Sequence, residues 1–168
     1  MGKRIITQRR GRGTNTYKVS KKAFRYKLNY PKNISGEGTV VKLIDSGAHT
    51  APLAKIAYSK GSFYIPAFKN MIEGQNIKLD GAEVKAGNIV KLKDIPVKTK
   101  VYNIESRPND GGKFIKSGGN SATVSRVIGD FVYVLMHSKK EKKFKGECRA
   151  IIGVVAGAGR VDKPVVKA

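Results

Sequence analysis

Ala122-Thr123-Val124-Ser125-Arg126-Val127-Ile128, then Gly129-Asp130, then Phe131-Val132-Tyr133-Val134-Leu135-Met136 is the stretch that decides the fold. Two runs of β-branched and aromatic residues flank a two-residue turn, the signature of a β-hairpin. Glycine at the first turn position suits the type II′ geometry that hairpins prefer. Upstream, Val101-Tyr102-Asn103-Ile104 reads as a strand. Downstream, Ser138-Lys139-Lys140-Glu141 turns into a strand over Lys142–Lys145, and Cys148-Arg149-Ala150-Ile151-Ile152 closes the set. These elements make a small barrel of the SH3-like size over residues 96–168.

Working outward, the preceding block has the same texture without repeating the sequence. Strands are expected at 39–44, 53–58, 62–65, 75–79 and 88–92, with Ser59-Lys60-Gly61 making the second and third a hairpin. Five short strands with glycine-rich corners in about sixty residues predict a closed or nearly closed barrel at 31–95. No stretch reads as a long helix, so the fold class is all-β.

Residues 1–30 read differently. Glycines and the Thr14-Asn15-Thr16 run interrupt any helical period, and the segment holds too little apolar surface to order itself alone. The first acid is Glu37, whereas eleven lysines and arginines precede it. The whole chain carries 34 basic and 12 acidic residues in 168, a formal charge of +22. Self-repulsion of that size gains a compact fold nothing, and it points to a polyanionic partner, with nucleic acid leading. Tyr17, Phe24, Tyr26 and Tyr30, interleaved with the bases, offer flat faces for stacking. The alternative reading is a solvated tail whose aromatics dock back on the body.

The most specific segment is Arg107-Pro108-Asn109-Asp110-Gly111-Gly112-Lys113-Phe114-Ile115-Lys116-Ser117-Gly118-Gly119-Asn120-Ser121. Glycine pairs flank a Lys-x-x-Lys core, so backbone amides could approach phosphates while lysines supply charge. The Gly-Lys-Ser/Thr ending and following helix of a P-loop are missing. A flexible hairpin tip is the plainer reading, but structureless loops of this length usually carry function or are disordered.

Asn103-Ile104-Glu105, Arg107-Pro108, Gly111-Gly112, Lys116-Ser117-Gly118, and Gly146-Glu147-Cys148-Arg149-Ala150 followed by Ile152-Gly153 resemble the large-subunit ribosomal protein two family. Gly11-Arg12-Gly13-Thr14, Ala48–Leu53 and Gly159–Pro164 resemble its archaeal and eukaryotic branch, so the likeness spans essentially the whole chain. The resemblance implies a basic N-terminal extension at 1–30, an oligonucleotide-binding (OB) barrel at 31–95 and an SH3-like barrel at 96–168. It further implies large-subunit ribosomal RNA and neighbouring ribosomal proteins as partners, in the cytoplasmic large ribosomal subunit near the subunit interface. Support of subunit association and of the peptidyl-transferase region would follow. The RNA-contacting residues would be Arg4, Arg9, Arg10, Arg12, Lys18, Lys21, Lys22 and Arg25 of the arm. Lys69, Arg107, Lys113, Lys116, Ser117, Gly118 and Arg149 would contact RNA from the barrels, although the family often has a neutral residue at the position of Lys113. The family usually continues into a glycine- and histidine-rich C-terminal segment, and this sequence ends at Ala168 before it.

Catalytic chemistry is not expected. Asp45, Ser46 and His49 lie too near one another in sequence to imply a triad, and no nucleophile elbow surrounds them. His137 reads as a barrel-rim residue and the lone Cys148 as a small buried hydrophobe. Neither a metal site nor a cofactor or small-molecule substrate is expected, and no apolar run approaches a membrane span. Membrane surfaces rank below nucleic acid because the arm has no amphipathic face. Two rivals stand beside the ribosomal reading: a free single-strand-binding or translation-factor-like protein with the same pair of barrels, and an RNA-processing enzyme.

Overall fold

The computed structural model describes residues 2–19, 23, 25–160 and 162–164. Lys21 and Lys22, expected to contact RNA, and Phe24, expected to stack, lie outside the described residues. Ten strands occur among the described residues: β1 (Glu37–Ile44), β2 (Leu53–Tyr58), β3 (Gly61–Pro66), β4 (Asn76–Lys78), β5 (Ile89–Lys91), β6 (Lys100–Tyr102), β7 (Ala122–Ile128), β8 (Phe131–Leu135), β9 (Glu141–Lys145) and β10 (Arg149–Ile152). They form two sheets, ordered β3-β2-β1-β4 and β5-β10-β6-β7-β8-β9. Strand pairing is antiparallel throughout both. The all-β reading holds.

The β7–β8 hairpin forms where the sequence places it, with Ile128 opposite Phe131 and Val127 opposite Val132. Gly129 has φ +55 while Asp130 stays on the negative side, as a II′ turn requires. A bulge at Ser125 shifts the register between Val124 and Arg126.

One strand changes sheets relative to expectation. Residues 88–92 were expected to complete the upstream barrel; instead β5 pairs with β10, with Arg149 opposite Lys91 and Ile151 opposite Ile89. The reason lies in the two-residue alternation of strand side chains. Val90, Leu92, Val101, Ala150 and Ile152 point into a core beneath β7–β9, while Ile89, Tyr102 and Ile151 point the other way, into the core of the first sheet. Strands buried on both faces read as continuous apolar runs, and β10 is buried along its whole length. The two cores therefore share a wall. The Tyr102 hydroxyl crosses it to donate to the Pro66 carbonyl at 3.2 Å.

The arm is not uniform either. Ile6–Gly11 forms a short helix, α1, where no helix was expected. Gln8, Arg9 and Arg10 favour helix, and Arg9 and Arg10 sit in the last turn, where cations complement the helix dipole. No residue of α1 is buried, so among the described residues no core packing supports it. Residues 26–34, by contrast, form a strap that is part of the body. Leu28 bridges Tyr64 in parallel, and Tyr26 packs on the Tyr64 ring at 5.0 Å between centroids. Tyr30 is 1% exposed within the first core. Its hydroxyl donates to the Asn103 carbonyl at 2.6 Å and its amide to the Gly111 carbonyl at 3.1 Å. Burial raises the Tyr30 phenol well above its ordinary pKa. A mobile extension reaching residue 30 is thus too long, because the last residues supply core.

Candidate nucleic-acid interface

The loop after β6 is built around one buried carboxylate. Glu105 is fully buried and accepts from Arg149 Nη2 at 2.6 Å, Arg149 Nε at 3.1 Å and the Arg149 amide at 2.8 Å. Its two oxygens also accept from the amides of Gly111 (3.2 Å) and Asn109 (3.4 Å). Arg149 Nη1 donates onward to the carbonyls of Pro31 (3.1 Å) and Lys32 (3.3 Å), which ties the strap to the same point. Asp110 makes a second, outer cradle, accepting from the amides of Ser106, Arg107 and Gly112. A buried ion pair with this many hydrogen bonds is costly to break from one side, by roughly 3–5 kcal/mol.

That geometry changes the role expected of the glycines. The amides of Gly111 and Gly112 point at Glu105 and Asp110. In the second pair, Gly118 donates to Thr50 Oγ1 at 2.9 Å, and Gly119 to the carbonyls of Val155 and Ala156. These N–H groups are taken up within the chain and do not form an open phosphate cradle. What requires glycine is close packing. A Cβ at Gly111 would overlap the Asn29 side chain, one at Gly112 would lie 2.5 Å from Asn103 Oδ1, and one at Gly119 would lie 2.7 Å from Ala158 Cα. Arg149 is likewise drawn inward, 6% exposed, with its guanidinium facing Glu105 and the strap.

Lys69 and the Lys116-Ser117-Gly118 run come to one segment of the chain. Segment 154–156 lies between two others: Lys69 and Ala67 hydrogen-bond to it from the first sheet's side, and Gly119 and Asn120 from the loop. Phe68 bridges Val155 in the same place. Lys69 and the run Lys116-Ser117-Gly118, far apart in sequence, thereby flank a common segment. Lys69 and Ser117 are exposed; Lys116 is half-buried and donates to the Gly112 carbonyl at 3.2 Å. Burial, and then repulsion from Lys113, lowers the Lys116 pKa, while Asp110 opposes the shift. His49 is half-buried nearby, its pKa lowered by burial and then by Lys116. Ser46 Oγ lies 2.9 Å from His49 Nδ1, but Asp45 accepts from the Ser46 amide rather than from the imidazole. No relay of the triad kind is assembled.

Arg107 and Lys113 are exposed on the outer part of the loop. Arg4, Arg9, Arg10, Arg12, Lys18 and Arg25 are all exposed, and Arg10 lies 6.0 Å from the Tyr17 ring centroid. Cys148 is completely buried, and burial pushes its thiol up to about 11, which leaves it protonated and unreactive.

Residues 85–168 match the profile of the family Ribosomal Proteins L2, C-terminal domain. Along its full length the chain is 44% identical to the large ribosomal subunit protein uL2 of Archaeoglobus fulgidus and 43% identical to that of Methanoregula boonei. It covers 73% and 72% of those proteins. The uL2 of Methanococcoides burtonii is 41% identical over the same full chain. The chain belongs to the ribosomal protein L2 family. Several of the sequence motifs that carried the resemblance lie together in this L2-family chain. Gly111 and Arg149 meet at the Glu105 carboxylate, and Arg107 and Gly112 donate to the Asp110 carboxylate beside it. Two residues that organise the site are not among the expected RNA contacts: Glu105, which the sequence shows only as part of a motif, and Tyr30, which reads as a stacking aromatic. The signal that could have found Glu105 is chemical. Glu105 and Asp110 around Arg-Pro and a glycine pair, in a chain with few acids, have more donors around them than they can leave unused.

Proposed function

We propose that this chain is a structural constituent of the large ribosomal subunit that binds large-subunit ribosomal RNA, supporting subunit association and the peptidyl-transferase region. The observation that carries the RNA reading is that Lys69 and the end of the loop at Lys116–Asn120 flank segment 154–156, on the body that anchors an exposed, acid-free arm. Charge, not base reading, is the chemistry on offer, because phosphate contacts position a protein without specifying sequence. The arm arginines Arg4, Arg9, Arg10, Arg12 and Arg25 with Lys18 would neutralise crowded phosphates, and Lys69, Arg107, Lys113 and Lys116 would fix the register of the body. Arg149 would act behind them, holding loop to strap. We assign β1–β4 to a barrel of the OB type and β5–β10 to an SH3-like barrel, with the boundary near residue 85, ahead of β5. Structural proteins of this kind work as rigid spacers whose extensions order on contact with RNA. The test is twofold. The protein should co-sediment with salt-washed large subunits, where a free factor would strip off. Its affinity for large-subunit RNA should fall steeply with salt, by about 0.7–0.9 in log–log slope per neutralised phosphate. A flat salt dependence would overturn the reading.

A further inference from the structure

The β8 side of the second sheet carries a surface that belongs neither to the arm nor to the 107–121 loop. Side chains on one face of a strand recur every second residue, which puts Phe131, Tyr133 and Leu135 in one column. The register sets Lys145 and Lys143 beside Phe131 and Tyr133 on β9, and Ile128 and Arg126 beside them on β7. Phe131 is 36% exposed and Leu135 42% exposed, unusual for large apolar side chains in the middle of a sheet. Cations sit on these rings. Lys143 Nζ is 3.6 Å from the Phe131 centroid and Arg126 Cζ 4.6 Å from that of Tyr133. At the hairpin end the column opens into a cavity of about 440 Å³, lined by Phe131, Lys93 and Lys145 together with Asp130 and Glu147. That volume lies within the range of small-ligand sites, roughly 300–1,000 Å³.

We infer that this cavity and column receive an unpaired nucleotide of single-stranded RNA, its base stacked on Phe131 and its flanking phosphates on Lys93, Lys143 and Lys145. This deepens the RNA-binding reading above and rests on it. The chemistry favours a nucleic acid over a protein partner. Cores of protein interfaces are depleted of charge, whereas here every exposed ring has a cation on or beside it. A flat ring flanked by mobile ammonium groups is the combination that sequence-tolerant single-strand sites use. Asp130 and Glu147 add acceptors that a base's exocyclic amino group can satisfy, while Glu141 is already engaged by Arg126 at 3.0 Å and by Ser125 Oγ at 2.6 Å.

The full chain should be irradiated with a short unstructured oligouridylate and the cross-linked peptides sequenced, alongside affinity measurements on the same oligonucleotide and on a duplex RNA. Cross-links are expected at Phe131 or Tyr133. F131L, which keeps apolar volume but loses the flat face, should weaken oligouridylate binding roughly 5- to 150-fold, the range that base stacking supplies, and leave duplex binding within twofold. F131Y should restore it. K143Q with K145Q, both exposed and outside the core, should reduce the salt slope for the oligonucleotide even if a Phe131 variant folds poorly. Full affinity of F131L together with an unchanged salt slope in the lysine double variant overturns the proposal. So do cross-links confined to the arm and the 107–121 loop, or cross-links from this face to another protein in intact large subunits. Loss of all salt-dependent binding to large-subunit RNA would instead overturn the functional reading on which the proposal rests.

Discussion

The N-terminal arm and the loop at 107–121 look alike in sequence, since both are basic, glycine-bearing and without a strand pattern. In three dimensions they are opposites. Residues 2–19 contain no buried side chain, and neither the helix at Ile6–Gly11 nor the 3-10 turn at Asn15–Tyr17 has a side-chain N-cap. The loop closes on Glu105 and Asp110, and its glycine amides are held by carboxylates, carbonyls and a threonine hydroxyl. Two acids and one arginine make the difference. An acid in a field of N–H donors organises backbone around itself, whereas a segment without one leaves its donors to water or to a partner. Positive charge counts alone cannot separate a rigid recognition loop from a free arm.

The sharpest way to break this comparison is to remove the organising carboxylate. Glu105→Gln leaves Arg149 buried without a counter-charge, and destabilisation of roughly 3–5 kcal/mol is expected by urea unfolding. A loss under about 1 kcal/mol would mean the loop does not depend on the ion pair. Next in size is the strap: Tyr30→Ala empties a core position and should cost about 3–5 kcal/mol. Tyr30→Phe, which loses only the bond to the Asn103 carbonyl, should cost about 1 kcal/mol. Deleting residues 2–19 should do the reverse. The unfolding free energy should stay within about 0.5 kcal/mol, while affinity for large-subunit RNA and its salt slope both fall. If the deletion shifts the thermal transition instead, the arm is part of the fold. A smaller effect is expected from Lys113→Gln with Lys116→Gln. Each lysine that no longer meets a phosphate should lower the salt slope by about 1, with no change in slope if these lysines face only water.

The smallest effect concerns His49. Burial and Lys116 hold its imidazole below the ordinary pKa of 6.5, so on acidification the unfolded chain takes up the proton first. This contribution to stability is complete above the unfolded value and is lost as pH falls through the lower folded one. Unfolding midpoints of the parent and of His49→Gln should therefore converge in trend above neutrality, and the variant should show the shallower decline in acid.

Much of the architecture was legible because strand formation here is local. The runs at 39–44, 53–58, 122–128 and 131–136 each match a strand to within two residues at either end, and the Gly129 turn has the geometry its residues demand. The partner of β5 was not legible. Ile89-Val90-Lys91 is apolar enough to close either barrel, and only the pairing with Arg149–Ile152, some sixty residues away, decides between them. Of the expected site residues, exposure of the arm followed from its composition. The inward turn of Arg149 did not, because Glu105 lies 44 residues from it in sequence.

By itself, the sequence determined an all-β chain, its strand positions, a charge suited to a polyanion, and membership of a family through ordered motifs. Each of these depends on neighbouring residues or on totals. Tertiary structure alone decided that two cores share a wall, that the strap belongs to the body, and that glycines admit packing neighbours. It also set cations on the exposed rings of β8. Most of these are contacts between segments distant along the chain, and strand periodicity specifies which face a residue occupies but not what that face will meet.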